Sequence, residues 1–580
     1  MKIFKYQILA IVTLICFTGC EVLEPEDDNV YDLEDLNSVM TYTEGLLMNA
    51  YRNLPTSHSN FSLSYACDDA VNNDPSSNVK TVVSGGWTSN SNPFSVWNTS
   101  YESIFYINTF FTEMEGVEWF WGNEITDSLF TVKLNAEAHA LRAWNYFHLL
   151  QAHAGLGANG EMLGVPIIDT VLEINDPSDY QIERASFNDL VAFIVADCDT
   201  AIKYLPNRWY DIEDETDRNR AIGGRNTNRI NGITARFIKA KTLLYAASPA
   251  YSDGTYTYAD AAQASAFVLV LNGLLSSVTN GNNDLLDFYN NPDVADWEQN
   301  HREVLWYSTK QNPSQSWEQA NYPPSLSGRG YTNPTQDLVN SFPMADGTPA
   351  SDIKINSSDP YSGRDPRLDK YIMYNGSQFK VGGVSTTIST IPNLAPENVD
   401  AVGSSNDFST KTGYYLKKFM NIENVNLDPS EDTDGMHYYT YVRFSEALLM
   451  FAEAANEDKG PDGVLGGMSA RSVMNALRSR VGITSTAYVD GLTSKEEMRD
   501  FIQNERRIEL CFEKQRFWDL RRWNDLEKLN EDIKGVRISA DGSTYTYVNV
   551  EERNFEAHQI YGPIPYNETL KYDLTQNAGW

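Results

Sequence analysis

The sequence predicts a mainly α fold, a scaffold of tetratricopeptide-like helix pairs with long irregular loops and short strands between them. Three observations lead there. Apolar residues recur at helical spacing in several places. Alanines share those faces with large aromatics, which lets paired helices approach closely. The stretches between, chiefly residues 55–98, 206–230 and 285–440, are rich in Asn, Ser, Gly, Pro and Tyr. They hold too many aromatics for disorder, so they read as ordered loops with short strands, which carry the function on a helical frame.

The chain opens on a leader. Lys2 and Lys5 form a short basic start, and Ile8 to Phe17 is apolar apart from Thr13. That run is too short to span a bilayer and reads as a cleaved secretory signal peptide over residues 1–19. Phe17-Thr18-Gly19-Cys20 resembles a bacterial lipobox, with phenylalanine where leucine is usual. In a lipobox the cysteine takes a lipid and becomes the first mature residue, so Cys20 is the expected lipidation site. Residues 20–30 are that cysteine and an acidic, proline-containing tether with nothing to bury. Residues 31–580 read as a single α-helical domain with loop-rich insertions at about 55–98 and 285–440. No later stretch approaches a spanning length of apolar residues, so the expected body is anchored to a membrane without crossing it.

Leu134, Ala138, Leu141, Trp144 and Phe147 share one face of a helix running to about His153, closed by Gly155 and Gly157. Ile233, Phe237, Ala240, Leu244 and Ala247 repeat the pattern until Ser248-Pro249 stops it. Phe444, Ala447, Leu448, Phe451 and Ala454 make a third stripe. Ser469 caps a fourth helix carrying Val473, Leu477 and Val481, with Gly482 as its end. Ser494-Lys495-Glu496-Glu497 is a capping box opening a fifth, with Met498, Phe501, Ile508 and Phe512. The pairs are unevenly spaced, so they make no regular solenoid. Trp306, within Glu303-Val304-Leu305-Trp306-Tyr307, reads as an inward-facing strand residue.

Composition narrows the function. Lys and Arg number 45 against 79 Asp and Glu, a net charge of −34; without the leader and its two lysines it is 43 against 79, or −36. Such a surface repels nucleic acid and anionic headgroups, so Arg521-Arg522 is no nucleic-acid patch. It suits an exposed protein whose ligand is neutral or carries little charge. Aromatics reach 12%, with 12 Trp and 33 Tyr, a bias common in proteins that stack on sugars or peptides. After cleavage the cysteines are Cys20, Cys67, Cys198 and Cys511; with Cys20 lipidated, at most one disulfide remains and no zinc-type spacing exists. Cys511 reads as a small buried hydrophobe within an apolar helix. Nucleophile, zinc-protease and phosphate-loop motifs are absent, since Gly223-Gly224-Arg225 lacks the strand and the Gly-Lys-Ser/Thr ending. Asp and Glu are too frequent for a glycosidase pair to be picked out. Asp211-Ile212-Glu213-Asp214-Glu215 with Asp217 lacks EF-hand spacing and reads as a solvated loop, so no metal and no cofactor is expected.

Taken in order, these segments resemble the SusD/RagB family of Bacteroidetes outer-membrane lipoproteins. Trp97-Asn98 through Asn108 looks like its first well-marked helix. Glu137-Ala138-His139-Ala140-Leu141-Arg142-Ala143-Trp144-Asn145-Tyr146-Phe147 resembles its Ala-Leu-Arg-Ala-Tyr-x-Tyr-Phe helix, and Gly164-Val165-Pro166-Ile167 the Gly-Val-Pro-Leu that follows. Arg229 to Ala247 resembles a middle repeat, and Tyr441 to Ala454 with Asn475 to Gly482 the late ones. Glu505-Arg506-Arg507-Ile508-Glu509-Leu510-Cys511-Phe512-Glu513, continuing to Trp523, is the most specific piece, with Lys514 where the family has glycine. Leu574-Thr575-Gln576-Asn577-Ala578-Gly579-Trp580 resembles the family ending. The resemblance implies a helical, tetratricopeptide-like fold whose loops and short strands carry the ligand site. It implies a surface-exposed lipoprotein of the outer membrane that captures a glycan and delivers it to a TonB-dependent, SusC-like porin, binding without cleaving. Some members bind peptides, so peptide or glycopeptide capture is the alternative. A secreted glycoside hydrolase and a purely adhesive lipoprotein are the readings from other classes.

The family's binding residues lie in loops before the Trp97 helix, which implies Asp68, Asp69, Trp87 and Asn90 as ligand contacts. A second set of rings and polar groups is Trp317, Asn321, Tyr322, Arg329 and Tyr331. Sugar rings offer flat C–H faces to aromatics and hydroxyls to amides and carboxylates, which is what both sets hold. The charged segment Glu505 to Trp523 reads as a structural network: arginines beside Glu505, Glu509, Glu513 and Asp519 pull carboxyl pKa values down, and Arg516 is expected to pair with Glu513 or Asp519 in adjacent turns.

Overall fold

The computed structural model describes residues 39–56, 62–74, 76–172, 176–273, 302–309, 311–313, 315–350, 359–381, 383–393, 396–420, 427 and 436–580. The leader, Cys20 and the acidic tether lie outside the described residues. Helix α1 (Met40–Arg52) buries Thr43, Leu46, Leu47 and Ala50, an i, i+3, i+4, i+7 stripe, against α2 (Trp97–Glu113). The long helix α3 (Glu124–His153) packs on α2 and on α4 (Phe187–Tyr204). Asn123 opens α3 by accepting the Thr126 amide at 3.0 Å, and Glu124 and Asp127 complement the dipole in its first turn.

From there three long helices follow, each lying on the previous one. Helix α5 (Gly232–Ala247) packs on α4, α6 (Tyr258–Leu271) on α5, and α7 (Phe444–Lys459) on α6. Helices α8 (Ala470–Arg480) and α9 (Lys495–Leu510) both lie against α7. The mainly α, helix-pair fold expected from the periodicity is the one observed. Helix α5 is buried nearly all round, because α3, α4, α6 and α7 all touch it.

The helix ends show why the sequence stops where it does. Ser494 accepts the Glu497 amide at 3.1 Å and Glu497 accepts the Ser494 amide at 3.0 Å, the expected capping box. Gly482 follows α8 at φ +95°. Gly155 follows α3 for a different reason: a Cβ there would lie 2.5 Å from the Tyr561 side chain. Helix α9 ends at Leu510, one residue before Cys511. Cys511 is buried, as expected of a small hydrophobe, but it sits past the helix, and Phe512 turns left-handed at φ +64°.

Among the described residues, four of the short strands tie the loop-rich stretches together. They are β1 (Ala70–Asn72), β2 (Val304–Tyr307), β3 (Thr332–Pro334) and β4 (Thr440–Arg443), pairing antiparallel as β1 with β3 and β2 with β4. Trp306, opposite Val442, is fully enclosed and donates its indole N–H to the Asn228 carbonyl at 2.9 Å. It faces inward, as the sequence predicts.

The charged segment Glu505 to Trp523, which spans the end of α9 and the turn and helix after it, is mostly buried and paired. Arg367 reaches Asp365 at 2.7 Å, Glu505 at 2.7 Å and Glu509 at 2.9 Å. Arg443 joins Glu303, Glu509 and Glu513, and Arg480 joins Glu303 and Glu509. Burial pushes the Glu509 carboxyl up, but Arg480, Arg443 and Arg367 outweigh it and hold the group well below the usual range. In helix α10 (Arg516–Arg522), Asp519 pairs with Arg506 at 2.7 Å and with Arg522 at 2.9 Å. The network is structural, as expected, yet Arg516 pairs with neither Glu513 nor Asp519: its partner is Asp68, on the far side of the sequence. Local spacing misassigned it, because α10 packs beside the segment that precedes β1.

Candidate functional site

Helical spacing puts Trp144, His148 and Gln151 on one face of α3, and that face looks into a cavity of about 470 Å³. Phe237 and Lys241 face the same cavity from α5. Tyr439 and Tyr441, two residues apart at the start of β4, present their rings together, as strand spacing requires. The turn Glu513-Lys514-Gln515 and Trp518 of α10 close another wall, and Phe94 with Ser95 supplies the loop that leads into α2. An aromatic-lined cleft with a few convergent polar groups is the form that small-ligand sites take.

Its rings hold each other in place. Trp144 meets Trp306 edge-on at 5.1 Å and His148 at 4.5 Å, and Tyr441 packs on Trp306 at 4.3 Å. Burial, with Lys241 and Lys514 nearby, holds the His148 imidazole down at about 3, so it is neutral at physiological pH. Lys241 is neutralised by Glu446 at 2.8 Å and donates to Gln515 at 3.1 Å. Among the described residues Glu513 is the single carboxylate on the cavity wall, held by Lys418 at 2.7 Å and Arg443 at 2.9 Å. Lys514 stands at φ +65°, with its ammonium 5.0 Å from the centre of the Tyr439 ring.

The residues expected as contacts stand largely behind this cavity. Trp87 is 3% exposed, enclosed by Phe94, Phe517, Phe555 and Trp580, with its indole N–H on Asn92 at 3.1 Å. It therefore offers no stacking face to a ligand; it backs Phe94, which does face the cavity. Asn90, three residues on, is exposed. Asp68 and Asp69 are buried, Asp68 accepting both ends of the Arg516 fork at 2.9 and 3.0 Å and Asp69 accepting Arg507 at 3.0 Å. Their lone pairs are spent on guanidinium groups, so neither is available to sugar hydroxyls. Asp68 instead fixes the residue next to Gln515 and thereby the cavity's turn.

Burial pushes the Asp69 carboxyl up, to about 6, with the neighbouring Asp68 adding to the rise. In Asp68 burial acts the same way but Arg507 and Arg516 outweigh it, holding the group below the usual range. Cys67, Asp68 and Asp69 lie close enough together to suggest metal ligation. They do not fit it: both carboxylates face arginines, and burial keeps the Cys67 thiol protonated.

In the second set Trp317 falls in a short helix, Gln315–Asn321, and its side chain lies outside the described residues. Asn321 is buried and accepts the Thr332 hydroxyl at 2.6 Å, and Tyr322 is 1% exposed. These two are loop anchors: β3 brings Thr332 against Asn321, and the Tyr322 carbonyl accepts the Gly330 amide at 2.9 Å. Arg329 is exposed, and half-buried Tyr331 meets Phe408 at 6.1 Å. Sequence reasoning passed over Trp144, Tyr439, Tyr441 and Lys514 as contacts. A signal existed for the first: its stripe continues into His148 and Gln151, polar groups where a core face would stay apolar.

A family model described as the SusD family matches residues 295–580, and another, described as starch-binding associating with outer membrane, matches residues 23–221. A SusD-like protein of Formosa agariphila is 32% identical over 117 residues, 19% of this chain and 22% of its own length. This chain therefore aligns with less than a quarter of that relative. A SusD-like protein of Bacteroides fragilis superposes with a TM-score of 0.72 at 22% identity, over 95% of this chain and 99% of its own. A SusD-like carbohydrate binding protein of the same species gives 0.67 at 21% identity, over 92% and 99%. At these identities the likeness speaks for the fold.

Proposed function

The chain belongs to the SusD family, and from that premise we propose that it is a surface-exposed, lipid-anchored protein of the outer membrane that captures oligo- or polysaccharide and delivers it to a TonB-dependent, SusC-like porin. The observation that carries glycan capture is the cavity bounded by Trp144, Tyr439, Tyr441 and Trp518. Flat rings take the C–H faces of a sugar, and the neighbouring amides and hydroxyls suit its oxygens. Glycoside hydrolysis uses two carboxyl groups flanking the bond. Among the described residues the cavity wall offers one, and two cations hold it, which favours binding over cleavage.

The anchor rests on the Cys20 motif, and no helix among the described residues is long and apolar enough to cross a membrane. Asn90, Arg329 and Tyr331, exposed or half-buried, extend the proposed contact surface beyond the cavity. Calorimetric titration of the mature chain against a panel of glycans, with product analysis of the same samples, tests the reading. Saturable binding without products, abolished in Trp144→Ala, is the expected result. Cleavage products, or binding of peptides alone, would overturn it.

A further inference from the structure

The charges on the cavity wall do not balance. Lys241 has Glu446 as its counter-ion, and Glu513 is shared by Lys418 and Arg443. Lys514 has no carboxylate within ion-pair distance among the described residues; its ammonium donates to the Tyr439 hydroxyl at 3.4 Å and lies over that ring. One unneutralised cation therefore faces a cleft otherwise lined by rings, neutral groups and the ion-paired Lys241 and Glu513. It does so in a chain of net charge −34, so it is no by-product of a basic surface.

The backbone makes the placement more pointed. The turn between α9 and α10 carries Phe512 at φ +64° and Lys514 at φ +65°, a region that glycine enters freely and side-chain-bearing residues enter at a cost. A glycine at 514 would make the same turn without strain and without charge. The lysine spends stability to hold an ammonium against the aromatic wall.

Resting on the glycan-capture reading, we propose that the cavity selects glycans carrying an oxyanion, a uronate carboxylate or a sulfate ester, with Lys514 reading the charge while Trp144, Tyr439 and Tyr441 take the sugar faces. One ammonium matches one anionic group per bound segment. The acidic exterior opposes a densely charged polymer, so a sparsely charged one fits both features.

The test is titration of the mature chain with acidic polysaccharides, each paired with its own carboxyl-reduced or desulfated form. The two kinds of pair separate uronate from sulfate recognition. At least one charged member is expected to bind about tenfold tighter than its neutral form, a typical size for one charge-assisted hydrogen bond. Lys514→Gln should remove that difference and Lys514→Arg keep it, with the preference fading as NaCl is added. Lys514→Gly, which suits the left-handed backbone, is the second charge-free variant should glutamine disturb the turn. Equal binding of charged and neutral members, or a preference that survives in both charge-free variants, overturns the proposal. If charged and neutral members bind equally and Trp144→Ala abolishes both, capture stands and charge selection falls. If no member of any pair binds, both readings fall together.

Discussion

Arg516 and Asp68 meet in a two-point ion pair, Nε on Oδ1 at 2.9 Å and Nη2 on Oδ2 at 3.0 Å, across 448 residues of sequence. The pair joins the start of α10 to the segment before β1, and its arginine follows directly on the turn that walls the cavity. Asp68 is buried and Arg516 is largely covered, its side chain 10% exposed, so removing one strands the other's charge away from most of the solvent. Asp68→Asn is expected to cost about 3–5 kcal/mol of stability. In denaturant unfolding, Asp68→Ala combined with Arg516→Ala should cost clearly less than the two single losses added together. Full additivity would show that the pair is not coupled.

Two tryptophans separate packing from binding. Trp87, ringed by Phe94, Phe517, Phe555 and Trp580, should cost about 3–5 kcal/mol when cut to alanine, with glycan affinity changed less than threefold in the protein that remains folded. Half-buried Trp144 should behave the other way, with Trp144→Ala costing less stability and most of the binding. Thermal melts beside calorimetry read both. A loss of binding confined to Trp87→Ala would return the site to the loop before α2.

The contrast shows what the sequence made legible. Helices α3, α5, α7, α8 and α9 could be read because each carries a clear apolar stripe or a capping box. Helix α6 hides: Ala266, Phe267, Val268, Leu269, Val270 and Leu271 run apolar on every side, so no face stands out, and Phe267 and Val270 are in fact exposed. Trp87-Thr88-Ser89-Asn90 looks like an open loop because three of the four rings that enclose Trp87 come from the other end of the chain. Asp68 looked free for the same reason. Residue types pointed to aromatic recognition, but only the tertiary contacts decide which aromatics keep a face in the cleft.

Lys514 tests the strain argument apart from any ligand. Lys514→Gly relieves a left-handed side-chain-bearing residue and should raise stability by about 1 kcal/mol, net of the lost contact with Tyr439. Phe512→Gly, at nearly the same φ, should instead destabilise, because Phe512 is 1% exposed and its buried ring is lost. Denaturant midpoints of the two variants should therefore move in opposite directions. A lower midpoint for Lys514→Gly would mean that the cation holds the turn together more than the backbone strains it.

Acid should weaken the fold through two histidines. His153 is buried, donates Nδ1–H to the Pro563 carbonyl at 2.7 Å and faces the Ser95 hydroxyl with Nε2 at 3.3 Å, an arrangement made for the neutral ring. Burial, opposed by the Pro563 bond and aided by Arg184 and Arg521, holds it down at about 4, and His148 is held at about 3. Unfolded imidazole titrates near 6.5. Below that pH the unfolded chain gains protons that the native ring refuses, so the stabilisation present above about 6.5 drains away as pH falls towards 4. Each ring should contribute a loss of about 2 kcal/mol between pH 7 and 5. His153→Gln should start less stable at pH 7 yet lose about half as much of the histidine-linked stability on acidification. Melting curves at pH 7, 6 and 5 measure this directly, and parallel pH profiles for wild type and variant would show that His153 is not the group being titrated.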